Sequence, residues 1–254
     1  MGLFDKLKKM MSFSFNMQEG APPLSPEQER GLAVGAIYAA EGHLPINALS
    51  MGADARTAAK LLKGAWGVHG PADVPETYAY LFDAGHRGLY ELAVPYAMEL
   101  LAASRSEQRS LGRRNVEEVP RRATELGLDP DRAMTAYLNW SGTYSFGMHN
   151  DLVDPLPASI LAWDMARVVH LSRLLLDAGF VSPEDAWAAV HRASETARAG
   201  YGSWQEFGDA FVVGRAFWSS ITNRDHAGDE TGDFVKAVKE LQEQPESPWV
   251  RLAW

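Results

Sequence analysis

Cysteine is absent from the 254 residues. Disulfide frameworks, thiolate zinc sites and a cysteine nucleophile are excluded together. Long apolar runs are missing too: none reaches the 18 or so residues that a membrane-crossing helix needs. The first residues lack the long apolar core and small-residue cleavage site of a secretory signal, so a cytoplasmic location is the expectation. Neither a GxGxxG turn after a strand nor a Walker pattern occurs, and no Gly-x-Ser-x-Gly elbow is found. The seven histidines include no HxxxH or HExxH pair. The expectation is therefore no metal and no cofactor.

Period-two alternation of β-branched residues is also missing, and helical periodicity replaces it. Hydrophobic residues make up 46% of the chain and there are eight tryptophans, enough to build a packed core without help from a disulfide or metal. The net charge is −9, which repels a phosphate backbone, so nucleic acid is not an expected partner. The densest basic stretch contains Arg105, Arg109, Arg113, Arg114, Arg121 and Arg122, interrupted by Glu107, Glu117 and Glu118. It reads as a solvated helix face.

Residues 1–24 stand apart. Leu3, Phe4, Leu7, Met10 and Met11 fall at helical spacing with Lys6, Lys8 and Lys9 opposite, the pattern of a short interfacial helix. A Gly-Ala-Pro-Pro linker follows. Residues 25–254 read as one all-α domain of roughly nine to ten helices with no significant sheet. Ser25-Pro26-Glu27-Gln28, Ser182-Pro183-Glu184-Asp185 and Ser203-Trp204-Gln205-Glu206 mark helix starts by their capping chemistry. One helix is expected to begin at Asp129 and end near Trp140. The polar stretch 141–157 then reads as a hinge or cap between subdomains.

Several motifs taken in order resemble the bacterial family catalogued as domain of unknown function 1266. They are Ala162-Trp163-Asp164-Met165-Ala166-Arg167, Ala178-Gly179-Phe180-Val181-Ser182-Pro183, Ser203-Trp204-Gln205-Glu206-Phe207-Gly208, Val213-Gly214-Arg215-Ala216-Phe217-Trp218 and the closing Ser247-Pro248-Trp249. Trp66-Gly67-Val68 and Gly85-His86-Arg87 carry a weaker likeness in the first half. The resemblance covers roughly residues 28–254. It implies a mostly helical bacterial protein and supplies no activity.

The candidate catalytic residues are His86, Asp164, Arg167 and Arg215. Asp164 and Arg167 are three apart on one helix and can pair. They could grip an anionic or planar ligand, or form a buried ion pair that fixes how helices meet. His86 follows a helix stop, where a histidine can act as acid or base or cap the helix C-terminus. Gly214 inside a predicted helix costs about 1 kcal/mol relative to alanine, which points to close packing there. That packing leaves Arg215 at a pocket or in an ion pair. His149-Asn150-Asp151 with Asp154 lacks calcium-loop spacing and reads as turn chemistry.

Three expectations follow. The first is a non-catalytic module that binds another protein, its acidic surface suiting a basic partner. The second is an enzyme with an inter-helix pocket, which requires the four candidate residues to converge. The third is weak membrane-surface contact through Leu3, Phe4, Leu7, Met10 and Met11.

Overall fold

In the computed structural model of the chain the described residues are 15–222 and 229–254. The chain begins with α1 (Pro26–Val34), where the Ser25 hydroxyl accepts from the Gln28 amide and the Gln28 side chain accepts from the Ser25 amide. This closes a capping box. α2 (Ala36–Glu41) follows Gly35. α3 (Ala55–Leu61), capped by Asp54, ends in a π turn over Leu62–Trp66. α4 (Val74–Ala79) ends the same way, over Tyr80–Ala84. Such i→i+5 turns are rare and cluster at functional sites.

The longer helices are α5 (Arg87–Ala102), α6 (Arg105–Glu125), α7 (Pro130–Ser145), α8 (Leu161–Asp177), α9 (Pro183–Gly200), α10 (Trp204–Thr222) and α11 (Asp229–Glu243). A short α12 (Pro248–Arg251) ends the series. No strand occurs among the described residues, and the all-α expectation holds.

The organising element is α8. Trp163, Asp164, Met165, Val168, Val169, Leu171, Arg173 and Leu175 are all buried, so the helix is covered all round, as a central helix must be. It packs against α1, α2, α3, α9, α10 and both π turns. α5, α6 and α7 pack on one another, and α10 joins that group to α8 by touching both α7 and α8. Gly214 makes this possible: a Cβ there would lie 2.4 Å from the Trp163 Cβ, so only glycine lets α10 approach so closely. The close packing expected at this glycine is observed.

Tryptophan serves the core as expected. Trp204 stacks on Trp249 at 5.2 Å, and Trp254 meets Trp204 edge-on at 4.6 Å. The arginine-rich α6 is a solvated face on which Arg114 pairs with Glu99, and Arg121 and Arg122 pair with Glu125.

One expected boundary is wrong. α7 continues to Ser145 instead of stopping near Trp140, so the first five residues of the supposed hinge are helical. The hydroxyls of Ser141, Thr143 and Ser145 donate to carbonyls four residues back, at Tyr137, Asn139 and Ser141. These side chains are satisfied without leaving the helix, and Thr143 is fully buried. Burial of this turn outweighs its turn-like composition.

Candidate functional site

Gly85, the residue after the second π turn, has φ 58° and ψ −159°. Only glycine adopts this region without strain. A Cβ there would sit 1.9 Å from Asp164 Oδ2. The glycine therefore lets the Gly85-His86-Arg87 backbone close directly onto the Asp164 carboxylate of α8. Oδ1 accepts from the His86 amide at 3.1 Å; Oδ2 accepts from the Arg87 amide at 3.4 Å and from Arg87 Nη1 at 3.1 Å. Arg167 Nη1 lies 3.7 Å from Oδ1.

Asp164 is fully buried. Burial raises its proton affinity, and Arg167, the His86 amide and Arg87 act against that rise. Every group touching the carboxylate is a donor, the arrangement that suits an ionised acceptor.

Arg87 also reaches back over its own turn. Nη1 donates to the Leu81 carbonyl at 3.0 Å and Nη2 to the Phe82 carbonyl at 2.6 Å. The C-terminal capping expected of His86 is thus done by Arg87, because the longer fork can reach both orphan carbonyls. Arg87 is the residue that the sequence pattern leaves out of the candidate set. Its position beside a glycine after a helix stop is the available signal. Its pairing with Asp164, 77 residues away, has no local trace.

His86 is buried, 7% exposed. Its Nδ1 accepts from Arg167 Nη1 at 2.9 Å, with the Tyr80 hydroxyl 3.4 Å from the same nitrogen. Burial, followed by repulsion from Arg167 and Arg132, pushes its pKa down to about 3. The ring is neutral at ordinary pH with its proton on Nε2. Its only basic nitrogen is already engaged, so it is poorly placed to accept a proton from a substrate.

Three of the four candidates therefore meet at one point. Arg215 does not join the carboxylate. Its guanidinium lies over Trp218 at 4.6 Å, Phe234 at 5.1 Å and Trp163 at 5.9 Å. Arg167 in turn lies over Trp66 at 4.9 Å and Trp163 at 5.5 Å. The two arginines thus share the Trp163 ring, and Tyr38 lies 6.0 Å from that ring while stacking on His170 at 4.6 Å. Trp66, Tyr38 and His170 join this aromatic nest from three different elements.

At the far end of α8, Arg173 is almost fully buried and donates to the carbonyls of Leu49 and Pro45. Burial lowers its pKa to about 10. One turn on, Asp177 accepts from the Ser50 hydroxyl and the Met51 and Ala53 amides. This second clamp holds the 45–53 segment and is structural.

His149 is engaged inside the chain. It is 4% exposed, stacks on Trp140 at 4.5 Å, and its Nε2 sits 2.8 Å from the Thr143 hydroxyl. Burial pushes its pKa down to about 4. Among the described residues, no three His, Cys, Asp or Glu side chains are placed to hold a metal ion. Leu3, Phe4, Leu7, Met10 and Met11 lie outside the described residues.

No helix among the described residues is long and apolar enough to cross a membrane. No curated protein and no solved structure matches the chain. The family described as "Protein of unknown function (DUF1266)" matches residues 61–254. That span holds α8, the glycine turn at 85–87 and Arg215, and leaves out α1 and α2 with Tyr38. The chain belongs to the DUF1266 family.

Proposed function

We propose that the protein is a non-catalytic helical module that binds another protein in the bacterial cytosol, as an adaptor, a regulator or a toxin-neutralising partner. The observation that carries this reading is the loop after α7. His149 pegs it to Trp140 and Thr143, and the same loop turns Phe146 outward at 74% exposure, with Met148 at 37% and Val153 at 36%. Large apolar side chains held outward by a buried anchor are pre-organised for contact, and exposed apolar clusters of this kind mark interaction surfaces.

The surface beside the loop fits the charge of the chain. A groove of about 360 Å³ runs past Val153, Pro155, Pro157 and Tyr201 to Glu206 and Asp209. An apolar floor with two carboxylates at its edge suits a basic, partly apolar segment of a partner.

The alternative proposal is an enzyme working at the Asp164 cluster. Convergence of His86, Asp164 and Arg167 supports it. Against it stand the burial of the carboxylate and the engagement of the one basic nitrogen of His86.

The test is photo-cross-linking from position 146 in native lysate, beside affinity capture by the wild type and by Phe146→Asp. The reading expects one stoichiometric protein captured by the wild type, cross-linked at 146, and lost in the variant. Equal capture by both proteins, or capture of nothing, contradicts it.

A further inference from the structure

A groove of about 470 Å³ runs between α4 and α9 and shares no lining residue with the surface beside the loop after α7. Its size is that of a small-ligand pocket. Val74 and Phe82 form its buried floor, and Tyr78, Phe180 and Val181 are half-buried along it. Tyr78 turns its hydroxyl inward to Ser172 at 2.8 Å, and its ring lies 6.3 Å from that of Phe82. Phe82 belongs to the π turn over Tyr80–Ala84, a feature that clusters at functional sites. The aromatic wall is therefore fixed before anything binds, which lowers the cost of binding.

The α9 side of the groove carries opposite charges at its two ends. Asp185 and Arg192 both line it, with Ala188 and Ala189 between them. They stand two turns apart on one face of the helix, roughly 10 Å along its axis. The small alanine side chains keep the middle of the groove open. The negative charge of Asp185 is felt at Tyr78, on the opposite wall.

Neither charge is fully used by the chain. Asp185 Oδ2 accepts from the Ser182 hydroxyl at 2.6 Å, which leaves Oδ1 to a ligand. Arg192 rests its guanidinium on the Phe82 ring at 3.9 Å, and a guanidinium held by its face keeps its N–H fork in a fixed plane. Asp83 Oδ1 is 3.8 Å from Nη2 of Arg192, beyond hydrogen-bond reach. A fork so placed suits a carboxylate, which it can grip by two parallel hydrogen bonds.

We propose that this groove binds a short, extended apolar peptide, its amino end at Asp185 and its carboxylate at Arg192. Three extended residues span roughly 10 Å, which matches the separation of the two charges along α9. The apolar side chains of the peptide lie on Val74, Tyr78, Phe82 and Phe180.

The experiment is calorimetric titration of the full chain with trileucine bearing free ends, and with the same peptide acetylated at its amino end or amidated at its carboxyl end. The proposal expects one free peptide to bind per chain. Each blocked peptide is expected to bind about three- to fivefold more weakly, the scale of an exposed ion pair. Arg192→Gln should bind the free and amidated peptides alike. Asp185→Asn, which keeps an acceptor at the start of α9, should bind the free and acetylated peptides alike. Ala188→Trp, at an exposed position, fills the groove and should abolish binding. Failure of the free peptide to bind overturns the proposal, as does binding that blocked ends or Ala188→Trp leave unchanged. Should a variant fail to fold, the blocked peptides on the wild type decide. None of these results bears on capture through residue 146, so the two proposals fail separately.

Discussion

One turn of α8 separates Asp164 from Arg167, yet the two residues face environments of opposite character. Around Asp164 the contacts are complete: two backbone amides and one guanidinium donate to the carboxylate, and a second guanidinium stands close by. Around the Trp163 ring, on the other side of Arg167, rings and guanidiniums are packed together while an indole N–H and an imidazole nitrogen lack partners. The first region is closed in the sense that both Asp164 oxygens and His86 Nδ1 are satisfied by the chain itself. The second leaves the Trp163 indole N–H and His170 Nδ1 without hydrogen bonds. Saturation separates the two regions better than burial or charge does, because both are buried and both contain arginine.

The comparison can be broken most forcefully at Asp164. Asp164→Ala strands Arg87 and two amides inside the protein and is expected to cost about 3–5 kcal/mol, the usual result of removing one member of a buried pair. Urea unfolding measures it, and a loss below about 1 kcal/mol would remove the clamp from the account.

Gly85→Ala should come next, at about 3 kcal/mol or more. It forces a residue with a Cβ into a glycine-only conformation and drives that Cβ onto the carboxylate. A circular-dichroism melt of this variant well below that of the wild type is the expected outcome.

Acid sharpens the contrast by acting on both regions together. His86 and His170 have pKa values pushed down to about 3, and His149 to about 4. Unfolded histidine titrates near 6.5. Between those limits the unfolded chain binds protons that the folded chain refuses, so stability falls as pH drops below about 6.5 and is insensitive to these groups above it. Each histidine contributes up to about 1.4 kcal/mol per pH unit. Urea midpoints compared at about pH 7.5 and about pH 5 give the slope. His170→Phe should reduce it, and an unchanged slope would mean that His170 is protonated in the folded state.

Arg215→Gln takes the guanidinium away from Trp218 and Phe234 and should cost at least about 1 kcal/mol, the scale of a partly exposed cation–π contact, read by urea unfolding. Phe146→Asp should shift stability by no more than about 0.5 kcal/mol, as exposed substitutions do. Its effect is confined to partner capture.

The closed region was partly legible in the sequence and the open one hardly at all. Helix starts are local chemistry, and Ser25, Ser182 and Ser203 cap as their spacing requires. Gly214 announces a close helix contact because glycine inside a helix needs a reason. Asp164 and Arg167 read as a pair because they sit three apart, yet Arg87 makes the shorter contact, at 3.1 Å against 3.7 Å. That contact depends on how two distant helices dock, and on a π turn that no local pattern announces.

The nest is harder still. Tyr38, Trp66, Trp163 and Arg215 belong to four elements, and each alone looks like an ordinary core or surface residue. Their meeting is a tertiary fact. The extension of α7 through Ser145 fails in sequence for a related reason: serine and threonine suggest a turn until burial decides that their hydroxyls bond back along the helix.

The most direct test of the central claim, that the His86–Asp164 cluster is a saturated clamp with no free acid or base, is the titration of His86 by nitrogen NMR of the folded chain. The account predicts a neutral ring protonated on Nε2 throughout the range from about pH 5 to about pH 8, with no titration step inside it. A step near pH 6.5, or a proton on Nδ1, would place a working acid or base beside Asp164 and contradict the clamp.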